Sequence, residues 1–143
     1  MIIEVDGSFY EKIEKLEARC FKEPWNAEVI RSLHSDFGHI ACDVGDDGEV
    51  LGYIFYNIVF ESAEILRLCV DDEFRRRGIG GRLIDFCKKN AALAGCTQIF
   101  LDVRSRNKPA IALYEKADFV KISERRQYYP DGDTALEYVW RSL

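Results

Sequence analysis

Long apolar runs are absent from this chain of 143 residues. The nearest to one, Tyr53–Phe60, is eight residues long and broken by Asn57, whereas a bilayer-spanning helix needs about 18 or more; no membrane association is expected. Histidine is scarce, at two residues, and the five cysteines (Cys20, Cys42, Cys69, Cys87, Cys96) show no Cys-x-x-Cys spacing. A bound metal and a disulfide framework are therefore not expected, and the cysteines read as reduced, small apolar fillers. Proline (3) and glycine (10) are too few for a collagen-like or low-complexity chain. A basic excess is lacking too: 20 Lys and Arg stand against 25 Asp and Glu, a net charge of −5, which argues against direct nucleic-acid binding. The stretch Met1-Ile2-Ile3-Glu4-Val5-Asp6 has carboxylates where a secretory leader carries a basic start and then an apolar run. A cytoplasmic protein is the expectation.

What is present is a core. Hydrophobic residues at 48% and aromatics at 13% supply enough apolar surface to order a chain of this length, and one domain over residues 1–143 is expected. Met1–Val5 reads as a short edge strand, followed by a helix capped by Ser8 and ending near Cys20, with Ile13 and Leu16 at helical spacing. Pro24 breaks the chain and Asn26 caps a second helix to about Ser35. Ile40–Val44 and Val50–Phe60, joined by Gly45-Asp46-Asp47-Gly48, read as a hairpin, and Ile65–Val70 as the next strand. Ile79, Leu83, Cys87, Ala91 and Ala94 form one stripe of a helix that stops at Gly95. Thr97–Val103 is a strand, Pro109 opens a short helix to Lys116, and Phe119–Arg126 and Ala135–Arg141 are a final strand pair. The predicted order is β-α-α-β-β-β-α-β-α-β-β.

The densest chemical signal runs from Val70 to Leu83, where a strand end passes through Arg75-Arg76-Arg77-Gly78-Ile79-Gly80-Gly81 into a helix. A helix start offers N–H groups without intrahelical partners at the positive end of its dipole, and glycines allow a diphosphate to approach the backbone. A Walker A loop needs Gly-Lys followed by Ser or Thr, and the dinucleotide fingerprint needs Gly at the position of Leu83. Neither is present.

The pattern Arg75-x-x-Gly78-x-Gly80 after a strand resembles the pyrophosphate loop of the GCN5-related N-acetyltransferases, the GNAT superfamily. A second segment, Asn107-x-x-Ala110-x-x-Leu113-Tyr114-Glu115-Lys116-x-x-Phe119, resembles that family's short helix beside the thioester. Within the family the chain is most similar to the RimI type of ribosomal-protein N-terminal alanine acetyltransferase. Phe21-x-Glu23-Pro24-Trp25, Leu101-Asp102-Val103-Arg104-x-x-Asn107 and Arg126-x-Tyr128-Tyr129 carry the narrower likeness. The resemblance implies an α/β (α+β) fold with one mixed, mostly antiparallel sheet of about seven strands and about four flanking helices. It also implies direct transfer of acetyl from acetyl-CoA, with no metal, to the α-amino group of a protein N terminus. For the RimI type that acceptor is the alanine of the eighteenth small-subunit ribosomal protein.

The same resemblance places the cofactor along the backbone of Leu68, Cys69 and Val70, its pyrophosphate over Arg75 and over Arg76 to Gly81, and Asn107 at the cofactor end of the short helix. It sets Tyr114 beside the sulfur and Asp102 in the position of the general base, where relatives commonly carry Glu. A tyrosine hydroxyl, with a pKa near 10, can donate to a departing thiolate, and an α-amine near 7.7–8.0 is partly neutral already, so a weak base suffices. Asp102 acting through one water fits that demand; Glu64 or Glu23 are substitutes, and an ion pair with Arg104 is the structural alternative. Phe21, Glu23, Trp25, Tyr128 and Tyr129 are candidates to wall the acceptor slot, with simple loop packing as the alternative reading. Asp118 stands where relatives have Gly. Alternative functions are acetylation of a small amine or a lysine, or acetyl-CoA binding without catalysis.

Overall fold

The computed structural model describes residues 1–35 and 37–142. Seven strands form one sheet in the order β1-β2-β3-β4-β5-β7-β6. They are β1 (Ile2–Glu4), β2 (Gly38–Val44), β3 (Val50–Val59), β4 (Ser62–Val70), β5 (Gln98–Arg104), β6 (Val120–Arg125) and β7 (Ala135–Arg141). All neighbours are antiparallel except β4 and β5. Helices α1 (Tyr10–Cys20) and α2 (Ala27–Leu33) precede β2, α3 (Ile79–Leu93) precedes β5, and α4 (Lys108–Lys116) follows it. The expected mixed sheet with four helices is the fold observed.

Two apolar layers sandwich the sheet. The layer with α1 and α2 gathers Ile13, Leu16, Ile30, Ile40, Tyr53 and Phe55; the layer with α3 and α4 gathers Ile54, Ile65, Leu83, Cys87, Leu101 and Tyr114. Each helix presents one apolar stripe at three- and four-residue spacing. Tyr10, Ile13, Leu16 and Glu17 are the buried face of α1. Ile13 and Leu16 are fully buried, so truncating either to Ala costs about 2–5 kcal/mol. β3 lies mid-sheet, covered on both faces, and Tyr53 through Tyr56 lose all exposure.

Three local expectations are corrected. Asp6, not Ser8, is the N-terminal cap: its carboxylate accepts from the Ser8 N–H at 2.9 Å and opens a short 3-10 turn ahead of α1, because a carboxylate at that position satisfies an orphan donor as a hydroxyl does. Ala94 is exposed and falls outside the α3 stripe, since the helix ends at Leu93. Cys20 and Cys69 are disulfide-linked, with Cα atoms 6.8 Å apart, against the expectation of five reduced thiols. The last residue of α1 lands over β4, a juxtaposition that 49 residues of separation concealed. Cys42, Cys87 and Cys96 are free and buried, as small apolar fillers should be.

Candidate active site

The site begins where the sheet comes apart. β4 pairs with β5 from Ser62 opposite Gln98 to Ile65 opposite Leu101, and no further. Beyond that point β4 continues through Val70 and β5 through Arg104 without meeting. At the same place the β3–β4 register slips, Tyr56 facing Ile65 while Phe55 faces Arg67. Leu66 is the extra residue of this bulge, and bulges bend a strand and re-aim its side chains. The result is a V-shaped opening in which Leu68, Cys69 and Val70 keep their backbone pairing with β3 and have none toward β5. Backbone groups on that free side are what an extended amide-bearing chain needs in order to add as a strand.

At the wide end, Asp71 caps a 3-10 turn over Asp72–Phe74 and is held by Arg19 at 2.7 Å. Arg75 pairs with Asp72 at 2.9 Å, and the Arg77 guanidinium lies 5.2 Å from the Phe74 ring. Gly78, at φ 76°, takes the left-handed conformation that turns the chain into α3. No side chain caps that helix. The first N–H seen bonding back is that of Arg82, to the Gly78 carbonyl, which leaves the amides of Ile79, Gly80 and Gly81 free for an anion. Gly80 has a separate reason to be glycine, because a Cβ there would meet Leu113 of α4 at 2.8 Å. Arg82 braces the loop, donating to the Arg77 carbonyl at 2.8 Å and pairing with buried Asp43 at 3.1 Å. The residues present thus fit a diphosphate. By contrast, a hollow of about 650 Å³ on the far side of Asp71 is lined by Asp46, Asp47, Glu49 and Glu73, which repel one.

Strand alternation places the remaining residues. Ile99, Leu101 and Val103 point into the α3–α4 layer, so Asp102 lies on the opposite face, which α1 and α2 leave uncovered beyond β4. Asp102 is directly opposite Glu137, and Glu64 shares their face between the buried Ala63 and Ile65. Partial burial pushes the Asp102 carboxyl above the usual carboxylate value, Arg125 opposing and Glu137 adding to the shift. Glu64 is raised by burial and then by Asp102. Three carboxylates and one arginine thus share an open groove. Arg104 is engaged elsewhere: it holds Asp131 at 2.9 Å and lies 3.9 Å from the Tyr129 ring. The alternative in which Arg104 neutralises Asp102 is not realised.

Tyr114 is on the other side. It is 6% exposed, packs in the α3–α4 layer and lies beside Phe119 with the two rings tilted 58° to each other. Burial, and secondarily Cys87, hold its proton well above the usual tyrosine range. Among the described residues none bonds its hydroxyl, and no buried side-chain polar atom is left unpartnered, so this oxygen keeps access to solvent. Asn107 caps α4, its Oδ1 accepting from the Ala110 N–H at 3.2 Å. Asp118 adopts φ 70°; the turn keeps the left-handed geometry despite lacking the expected Gly.

Two loops flank the groove. In the α1–α2 loop Phe21 and Trp25 are half-buried while Glu23 is exposed. In the β6–β7 loop Tyr128 is 54% exposed and meets Tyr129 edge-on. The structure therefore brings Asp102, Glu64 and Tyr129 to one face of the sheet, and leaves Tyr114 on the other face, in the α3–α4 layer.

The family model described as "Acetyltransferase (GNAT) family" matches residues 10–119. The chain belongs to the GNAT acetyltransferase family. Among relatives of this GNAT chain, the [ribosomal protein bS18]-alanine N-acetyltransferase of Escherichia coli K12 is 27% identical over 118 residues, spanning 82% of this chain and 79% of that protein. The crystal structure of the ribosomal-protein-S18-alanine N-acetyltransferase from Escherichia coli superposes with a TM-score of 0.91 at 24% identity, covering 99% of this chain and 92% of the other. Arabidopsis thaliana NAA60, solved in complex with acetyl-CoA, superposes at 0.87 with 19% identity, covering 99% and 97%.

Sequence reasoning did not bring Glu137 or Arg125 to the Asp102 face. Both come from the last strand pair, where Arg125 stands out only as half of the basic pair Arg125-Arg126 and nothing local marks Glu137. The only signal of that placement was the alternation of β5 against β7, which seats Glu137 opposite Asp102 once the register is known.

Proposed function

We propose that this acetyltransferase transfers acetyl from acetyl-CoA to the N-terminal α-amino group of a protein, with an alanine-initiated ribosomal protein as the acceptor class, in the cytoplasm. The observation that carries this reading is the opening between β4 and β5, which has Asp102 on one face and Tyr114 on the other. Leu68, Cys69 and Val70 would pair with the pantetheine arm, and the amides of Ile79, Gly80 and Gly81 together with Arg75, Arg76 and Arg77 would hold the pyrophosphate. Acetyl-CoA supplies the thioester; the protein supplies alignment and two proton sites.

The acceptor amine would enter from the open groove, where the carboxylates of Glu64, Asp102 and Glu137 favour a cation. Aspartate is one methylene shorter than glutamate, and Asp102 takes the amine proton through one water as nitrogen attacks the thioester carbonyl. Its raised pKa makes it a better base than an ordinary aspartate. The Tyr114 hydroxyl donates a hydrogen bond to the departing thiolate; its raised pKa keeps it protonated throughout, and the thiolate takes its proton from solvent. The modest base suits an α-amine, which loses its proton near 7.7–8.0, better than a lysine near 10.4.

The test is steady-state CoA release from acetyl-CoA with three acceptors: an Ala-initiated peptide, the same peptide N-blocked but carrying an internal lysine, and spermidine. Preference for the free α-amine supports the reading. Preference for either other acceptor moves the activity to that class, and tight acetyl-CoA binding with no turnover on any of them leaves a binding module.

A further inference from the structure

A buried polar cluster sits beneath the α1–α2 loop. Glu17 of α1 is fully buried. It accepts from the Tyr53 hydroxyl, from Arg67 Nη2 at 3.1 Å and Nε at 3.3 Å, and from the backbone N–H of Trp25 at 2.9 Å. Arg67 also donates to the carbonyl of Glu23 at 3.1 Å. Its guanidinium carbon lies 4.0 Å from the centre of the Phe21 ring and 4.4 Å from that of Trp25. Trp25 in turn meets Phe55 edge-on. Arg67 therefore contacts the loop at four points: two rings, one carbonyl, and one amide reached through Glu17.

This placement depends on the bulge at Leu66. Ala63 and Ile65 point toward α3, and a regular strand would send Arg67 there as well. The extra residue reverses the alternation, so Arg67 emerges on the groove side at the point where β4 leaves β5. The bulge that opens the cofactor slot also aims the arginine that holds the acceptor wall.

We propose that Arg67 is a positioning residue for the acceptor: pinned to Glu17, it fixes the 21–26 loop so that Phe21 and Trp25 form a rigid wall beside the Asp102 face. The proposal rests on the acceptor reading above. Arginine suits the task because its planar fork makes two bonds to a carboxylate while stacking on aromatic faces, whereas lysine offers a point charge.

The test compares wild type with Arg67→Lys and with the double variant Glu17→Gln/Arg67→Met. Arg67→Met alone would strand a buried carboxylate and endanger folding; the double variant removes both charges and keeps an oxygen for Trp25 and Tyr53. Two readouts are taken: hydrogen exchange of the Trp25 amide, and the Michaelis constants for the acceptor and for acetyl-CoA separately. In both variants the Trp25 amide should exchange about tenfold faster or more. The acceptor KM should rise about fivefold or more with the acetyl-CoA KM within about twofold. An unchanged Trp25 exchange rate overturns the clamp; a released loop with an unchanged acceptor KM overturns the positioning role, and so does a parallel rise in both constants. If wild type prefers spermidine or lysine, the reading of the acceptor fails on its own, and the KM split is measured with the preferred amine.

Discussion

At the scale of single residues, Asp102 and Glu64 have carboxyl pKa values raised chiefly by burial, and Glu64 also by the charge of Asp102. The folded protein then binds those protons more tightly than the unfolded chain does. Stability is lost as pH rises from the ordinary carboxylate value near 4 through the raised values. Asp102→Asn and Glu64→Gln should each raise the melting temperature at pH 7 and leave it nearly unchanged near pH 3, where both carboxyls are protonated. If Asp102 is also the base, Asp102→Asn lowers kcat while it stabilises. A variant that loses both activity and stability at pH 7 would show instead that Asp102 is structural. Tyr114→Phe removes one oxygen from a side chain that makes no hydrogen bond among the described residues. Its melting temperature should stay within a few degrees of wild type while kcat falls about tenfold or more; equal activity would remove Tyr114 from the mechanism.

At the scale of elements, the turn after α4 tests how far local geometry overrides residue preference. Asp118 is held at φ 70°, a conformation costing an L-residue about 1–2 kcal/mol and aspartate somewhat less. Asp118→Gly should therefore stabilise the protein by about 0.5–1 kcal/mol, after allowing for glycine's greater unfolded freedom. Thermal denaturation checks this, and a drop in melting temperature would mean that the Asp118 carboxylate makes a contribution its geometry does not reveal. Most elements were legible in the chain because each rests on short-range pattern: the α3 stripe, the Asn26 cap, the Pro109 start of α4, the Gly45–Gly48 turn and the alternation of β5. The Arg75–Gly81 loop was legible for the same reason, its residues being contiguous. The Arg67 clamp was not, because it joins positions 17, 21, 25, 53 and 67 through a one-residue bulge that leaves no mark in composition. The pairing of Arg104 with Asp131 rather than with Asp102 was equally hidden, being decided by a loop 27 residues away.

At the scale of the whole molecule, one sheet separates two chemistries. The Arg75–Gly81 loop and Tyr114 belong to the side carrying α3 and α4, whereas Glu64, Asp102 and Glu137 belong to the side that α1 and α2 only half cover. If both substrates are held at once, initial-rate plots should intersect rather than run parallel, with CoA competing against acetyl-CoA and not against the acceptor. Parallel lines would point to a covalent acetyl-enzyme.

The gap between β4 and β5 also has a bearing on traffic. A cleft entered from one side makes its two guests queue, and the first product out must clear the way for the second. On the proposed reading the sheet is a wall with a window in it, and each guest would have its own approach. A long or folded polypeptide would rest against one side while a spent nucleotide thiol departs from the other, so the bulk of the acceptor would place no limit on how quickly the donor is renewed.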